Sequence, residues 1–380
     1  MKKVILNSVL ILALFAFVMS SCKDPDDDDK IKMDPTDWKG AITEEVELDP
    51  TQVYKLTGLI SVKDGGKLII PAGTRIEGVG GTSSAIIVEQ GGQIFVNGTK
   101  EKPVVITSGL ASPARGDWGG LVICGRATCN SGTGMSEVGD VPYGGNIDND
   151  NSGEIRYLRI EWSGAAFNSE KEYNGFSLFG VGSGTKIEYV QIHENADDGI
   201  EFYGGTVSAD YIVSNHTEDD MFDWTEGWTG TGKYWYGLND KGYGNRGFEC
   251  DNWSQNHSAT PFANPVIRNV TLIGSGVQGN EDQGMELRAG TKGDIDNVVL
   301  KNWKIGIRVT GDVSTSHLGT GLKVTNVRFI DIADKKMHAR NDAGTAVEIP
   351  AGSITENEAA TGAGAGANVP EWAKGWTVGL

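Results

Sequence analysis

Two six-residue stretches, Asp197-Asp-Gly-Ile-Glu-Phe202 and Asp219-Asp-Met-Phe-Asp-Trp224, repeat one pattern 22 residues apart. In each, an acid (Glu201 or Asp223) stands between two apolar residues, Ile200 and Phe202 or Phe222 and Trp224. That alternation predicts a short strand with one face buried. The same phase returns at Asn174-Gly-Phe-Ser-Leu-Phe-Gly180, Gly247-Phe-Glu-Cys250, Gly284-Met-Glu-Leu-Arg-Ala-Gly290 and Gly306-Ile-Arg-Val-Thr-Gly311. A near-constant step with occasional excess predicts a solenoid, one coil per repeat, with loops inserted on one side. Its outward column reads Ser177, Glu201, Asp223, Glu249, Glu286, Arg308.

Upstream, Leu56-Thr-Gly-Leu-Ile-Ser-Val62, Lys67-Leu-Ile-Ile-Pro71, Ala85-Ile-Ile-Val88, Gln93-Ile-Phe-Val96 and Val104-Val-Ile-Thr107 are short apolar or alternating runs punctuated by Gly pairs. With 54 Gly against 11 Pro, and no long helical period, the chain is expected to be all-β. Residues 225–265 read as the longest insertion, a loop or local hairpin rich in aromatics: Trp228, Tyr234, Trp235, Tyr236, Tyr243 and Trp253. Amphipathic rings on an exposed loop suit stacking on sugar faces. The plainer reading is that they pack the insertion onto the solenoid. Residues 341–380, Ala- and Gly-rich with Trp372 and Trp376, are expected to cap the open end.

At the N-terminus Lys2 and Lys3 precede a largely apolar run from Val4 to Val18, the pattern of a signal peptide over residues 1–21. Met19-Ser-Ser-Cys22 looks like a bacterial lipoprotein cleavage site, at which Cys22 becomes the lipidated N-terminus. The charged run Lys23-Asp-Pro-Asp-Asp-Asp-Asp-Lys30 cannot pack and reads as part of a solvated tether over 22–45, leaving 46–340 for the solenoid.

Gly66-Lys-Leu-Ile-Ile-Pro-Ala-Gly-Thr74, Val96-Asn-Gly-Thr-Lys-Glu-Lys-Pro-Val-Val-Ile-Thr-Ser108, Gly116-Asp-Trp-Gly-Gly-Leu-Val-Ile123 and Arg156-Tyr-Leu-Arg-Ile-Glu-Trp162 resemble a family of right-handed parallel β-helix surface lipoproteins of Bacteroidota, with a pectin-lyase-like fold. The likeness runs over about residues 50–333. It implies a right-handed parallel β-helix with loop insertions, anchored by lipid in the outer membrane and facing outward, where the acidic run resembles a surface-export signal. Lipid anchor, acidic tether, rigid rod and aromatic insertion together describe a protein that captures an extracellular ligand, with glycan the leading candidate, and the family's setting implies a TonB-dependent transporter as partner in nutrient uptake.

The formal charge is −18, and loss of residues 1–21 with their two lysines leaves −20. Such a surface repels nucleic acid and anionic membranes and suits neutral ligands, cations or cation-bridged acids. Three thiols remain besides Cys22. Cys250 alternates with Phe248 and reads as a core residue, while Cys124 and Cys129 are near enough in sequence to pair in an oxidising compartment. Asp148-Asn-Asp-Asn-Ser-Gly153 resembles half a calcium loop, but Arg159 stands where an EF-hand needs its Glu, so a polar turn is expected.

Enzymes of the pectin-lyase-like fold that hydrolyse polymers carry Asn-x-Asp one coil before an Asp-Asp pair. Asn195-Ala-Asp197-Asp198 followed by Asp219-Asp220 resembles that arrangement, making Asp198, Asp219 and Asp220 the catalytic candidates of an inverting hydrolase. The Gly-His-Gly and Arg-Ile-Lys of that signature are missing, and the five His form no evident cluster. A calcium-assisted lyase with Arg288 or Arg308 as base is the other catalytic alternative. Asp and Asn beside Gly also hydrogen-bond backbone at solenoid corners. The leading expectation is therefore a ligand-binding surface lipoprotein without catalysis, with a structural or adhesive role as a further alternative. No cofactor is required, but stacked Glu201, Asp223 and Glu249 need a proton, a calcium ion or a base between them, and no base neighbours the first two in sequence.

Overall fold

A computed structural model describes residues 34–168, 171–240, 242–276 and 282–380. Cys22, the signal segment and the acidic run lie outside the described residues. The chain forms a right-handed parallel β-helix, with each strand paired in register to its counterpart one coil away. Two stacks build the body. One consists of short strands, among them Phe176–Phe179, Ile200–Tyr203, Phe222–Thr225, Arg246–Cys250, Gln283–Leu287 and Ile305–Thr310. The other consists of long strands, from Gly153–Glu161 through Lys186–His193, Ser208–Asn215, Thr231–Leu238, Val266–Ile273 and Gly293–Lys301 to Leu322–Ile330.

Each long strand bends at one residue of left-handed backbone: Tyr157, Tyr189, Tyr211, Tyr234, Asn269, Asn297 and Asn326, with φ between 49° and 65°. That conformation costs an L-residue about 1–2 kcal/mol, least for Asn. Register turns these bends into ladders whose contacts offset the strain. The four tyrosines stack at centroid distances of 4.4, 4.4 and 4.9 Å. Below them the Asn297 amide donates to Asn269 Oδ1 at 2.7 Å. Tyr234 thus belongs to the ladder at a corner, not to an insertion.

The structure differs from the sequence reading at three boundaries. Trp38–Ile42 is already a strand, paired with Val53–Val62, and Trp38 is buried against Tyr54, so the solenoid starts inside the segment assigned to the tether. Residues 225–265 are not one loop, because Thr231–Leu238 is a full coil of the long stack and Arg246–Cys250 one of the short stack. Within it, Trp228 and Trp235 are wholly buried; Trp228 stacks on Phe202 at 4.1 Å and Trp235 on Phe222 at 4.9 Å. Their indole N–H groups donate to Val207 O and Ala209 O, each at 2.9 Å. Tyr236 is covered as well, so these three rings are core and offer no face to a ligand.

The third difference is the C-terminus. Ile354–Glu356 adds a last strand beside Leu322–Ile330, but the residues beyond it do not simply cap the end. They run back as a strap across the outward column Gln191, Val213, Tyr236, Thr271 of the long strands. Thr271 Oγ1 donates to Gly366 O at 2.9 Å, Trp372 meets Tyr211 edge-on at 5.4 Å, Trp376 meets Tyr157 at 5.5 Å, and Gln191 Nε2 donates to Val378 O at 2.7 Å. Val213, Tyr236, Leu238 and Ile273 are sealed under Ala363 and Ala373.

Truncation of a buried aromatic that other rings surround costs about 3–5 kcal/mol. Trp235→Ala is expected to lose that much in a urea or guanidinium unfolding titration. A loss below about 1 kcal/mol would contradict the core placement.

Candidate functional site

Register places Ser177, Glu201, Asp223, Glu249, Glu286, Arg308 and His338 one above another on the short stack. The column points away from the core, yet its acids are largely covered, because loops rise on both sides. One wall is the excursion over 126–150, which carries a hairpin, Gly134–Met135 with Pro142–Tyr143, and packs Val138, Val141 and Tyr143 on Phe179 and Tyr203. The excursion's Asp148-to-Gly153 segment is a turn, in which Asp148 Oδ1 accepts from Thr128 N at 3.0 Å and Asp150 Oδ2 from Arg126 N at 2.9 Å. The other wall is the loop after Arg246–Cys250, with Asp251 and Trp253.

A cleft of two lobes, which share Asp197 in their linings, opens here, and its second lobe lies between the walls. The first, about 520 Å³, is bordered by Arg115, Glu172, Asp197, Glu218 and Asp219. The second, about 510 Å³, lies over Asp198, Glu201, Asp223 and Glu249, with Glu137, Trp253 and Arg288 on its sides.

Compensation along the column is uneven. At its lower end Glu249 Oε1 meets Arg246 Nη1 at 2.5 Å and Oε2 meets Arg288 Nη2 at 2.7 Å, while Glu286 is bound by Arg308 and by Thr310 Oγ1 at 2.7 Å. Toward the upper end Glu201 accepts only neutral hydrogen bonds among its named contacts, from Asn174 Nδ2 at 2.7 Å and from the Tyr203 hydroxyl. Asp223, 8 % exposed, has an Oδ1 that is buried with no hydrogen-bond partner. A buried carboxylate oxygen without a donor is costly unless it is protonated or faces a positive group.

Burial first, and the neighbouring carboxylates second, push the acids upward. Asp197 rises from its ordinary 3.8 to about 7 and Glu249 from 4.5 to about 6, while Asp198, Asp220 and Asp223 rise well above their usual range. Glu201 is raised by burial against the opposing hydrogen bonds of Tyr203 and Asn174. One oxygen each from Asp198, Glu201 and Asp223 lie within 4.8 Å of one another, and so do one each from Asp197, Asp198 and Asp219. These all-oxygen clusters, one of which includes Asp223 with its orphaned oxygen, fit a hard cation such as calcium or an ammonium group.

Of the catalytic candidates, Asp198 Oδ1 accepts from Asp220 N at 2.9 Å and Asp220 Oδ1 from Arg246 N at 2.6 Å, so both tie one coil to the next at a corner. Asp219 accepts from Asn245 Nδ2 at 2.7 Å. Among the aromatic candidates only Trp253 borders the cleft. Tyr243 lies under the Arg115 guanidinium, 3.7 Å from ring centroid to Cζ, and donates to Glu194 Oε2 at 3.2 Å, so it positions a residue of the first lobe. Behind it the rings of His193 and His216 are 5.8 Å apart, a pairing the sequence did not suggest. Cys124 and Cys129 are buried free thiols pushed up to about 12 by burial, not a disulfide. Glu137 and Glu226 were missed because neither lies on a repeat strand; Glu226 sits at a left-handed corner, φ 52°, and takes Tyr143 OH at 2.8 Å.

The raised acids bind protons more strongly in the folded than in the unfolded state, so their contribution to stability is full below about pH 4 and is lost as pH rises through the folded values. The melting temperature is expected to fall between about pH 4 and about pH 7, the span set by Asp197 and Glu249, and Asp223→Asn should flatten the slope. A melting temperature rising across that window would show that the acids are not strained.

The profile of a family described as "Pectate-lyase like beta helix domain" matches residues 40–377. No curated protein matches the chain. A solved structure, the enzymatically active domain of tailspike protein 2 of bacteriophage CBA120, is similar at 13 % identity over 79 % of this chain and 42 % of that one, with a TM-score of 0.21. The chain spans less than half the length of that structure. By the extent of the family match, which takes in both stacks, the cleft and most of the strap, this protein belongs to the pectate-lyase-like β-helix domain family.

Proposed function

We propose that the protein binds a glycan in the two-lobed cleft without cleaving it, as a lipid-anchored outer-membrane protein that serves a nutrient-uptake system. The observation that carries the binding site is the lobe over the column, walled by loops, with the other lobe adjoining it at Asp197. Its acceptors suit hydroxyl groups, and Trp253 offers an aromatic face at the rim. Membership of the family supports a carbohydrate ligand. Binding is favoured over hydrolysis because Asp198 and Asp220 are bonded to backbone amides at solenoid corners.

Glycan cleavage is the second reading, and one observation favours it: an acid at about 7, Asp197, could serve as a general acid near neutral pH. Turnover of pectin or another polymer, lost in Asp197→Asn, would replace the first reading.

A glycan array followed by calorimetry on the hits tests the binding site. Trp253→Ala is expected to weaken the ligand about fivefold or more, the equivalent of ~1 kcal/mol for a good ring contact. Unchanged affinity in that variant would move the site out of the cleft. For the anchor, labelling by a fatty-acid analogue should disappear in Cys22→Ala, and persistent labelling would refute it. Replacing the acids of 24–29 by Ala should remove the protein from protease attack on intact cells if that run directs it outward.

A further inference from the structure

The second lobe presents eight carboxylate side chains against a single guanidinium, and that one, Arg288, is already held by Glu249 and Asp251 at 2.7 Å each. A neutral sugar would leave those acids that ionise without a positive partner, and an anionic one would add to their charge. We propose that the ligand is an amine-bearing glycan, a polymer of hexosamine units whose free ammonium groups seat in the carboxylate clusters while a ring face rests on Trp253. This narrows the ligand class of the proposed glycan site and rests on that reading.

Three features carry it. An ammonium donates three hydrogen bonds of about 2.8 Å in tetrahedral directions, which sets its acceptors about 4.6 Å apart. The oxygens offered by Asp198, Glu201 and Asp223 lie within 4.8 Å of one another. Second, Asp223 Oδ1, buried and without a donor, belongs to a side chain of that triad and lines the lobe. Third, the other triad, Asp197, Asp198 and Asp219, shares Asp198 with the first and borders the neighbouring lobe. Positive groups recurring along one polymer can therefore engage both lobes, and Trp253 supplies the aromatic surface on which a sugar ring or its ammonium rests. Calcium draws on six to eight oxygens, commonly with carbonyls among them. Each cluster of described residues brings three, all from carboxylates.

The test is calorimetry of the intact protein at about pH 6, where a sugar amine is protonated, with glucosamine hexasaccharide, N-acetylglucosamine hexasaccharide, spermine and calcium chloride as probes. The glucosamine oligomer is expected to bind at least tenfold more tightly than its acetylated counterpart. Asp223→Asn, and Glu201→Gln as a second variant, should each remove about tenfold of that affinity, with thermal melting confirming that both fold. Equal affinity for the two oligomers would overturn the amine while leaving glycan binding standing, and no binding by any oligomer would overturn both. Unchanged affinity in both variants would reduce the effect to attraction by the acidic surface and overturn the proposal. Spermine matching the oligomer, with Trp253→Ala silent, would overturn it in favour of a polyamine. Calcium alone raising the melting temperature through Asp223, with no oligomer bound, would assign the triad to a metal instead.

Discussion

In-register parallel stacking sets each side chain about 4.8 Å from its counterpart on the next coil, and every lateral feature of this molecule follows from that spacing. Like apolar groups gain from it, as the inward Ile200, Phe222, Phe248 and Met285 do. Tyrosines at successive corners gain a ring contact each, and asparagines an amide hydrogen bond. Like charges lose, by roughly 3 kcal/mol per pair at an effective dielectric of 20. A column of acids is therefore stable only where something positive or a proton stands between its members. The lower acids are paired directly with arginines, whereas Asp223 feels Arg288 only through its field.

The recurring apolar-acid-apolar pattern was enough to place Glu201, Asp223, Glu249 and Glu286 in one column despite unequal steps, because a solenoid's register is written in the phase of its apolar pairs. The aromatic stretch was legible only in part. In Thr231–Leu238, Gly232 and Gly237 lie beside Trp235 and Tyr236, and glycines there looked like loop punctuation. In the fold they make room: a Cβ on Gly232 would sit 2.5 Å from the Trp235 ring, and one on Gly237 2.3 Å from Met221 Sδ. Large rings packed inside a narrow coil need small neighbours, so the same composition serves a core. Cleft walls were hidden for a different reason, since Glu137, Glu226 and Trp253 reach the site from segments that carry no period.

The strap was also unreadable, because a run of Ala and Gly has no pattern of its own and takes its place from the surface it covers. Its small residues let the backbone lie close to the sheet, and a Cβ at Gly362 would come within 2.2 Å of Thr271 Oγ1. The tryptophans then close on the edges of the tyrosine ladder.

Coils of a solenoid ordinarily touch only their neighbours, so such a rod can fray from either end. Here residues 361–379 bond to positions 64 to 217 residues earlier, from Asn297 back to Arg159. During synthesis the coils can stack in the order they emerge, but the strap clasps them only once residues 361–379 have been made. That long-range closure should be the slow step of folding. Once formed, it binds the fate of coils that share no direct contact, so that the rod opens as one body instead of unravelling turn by turn.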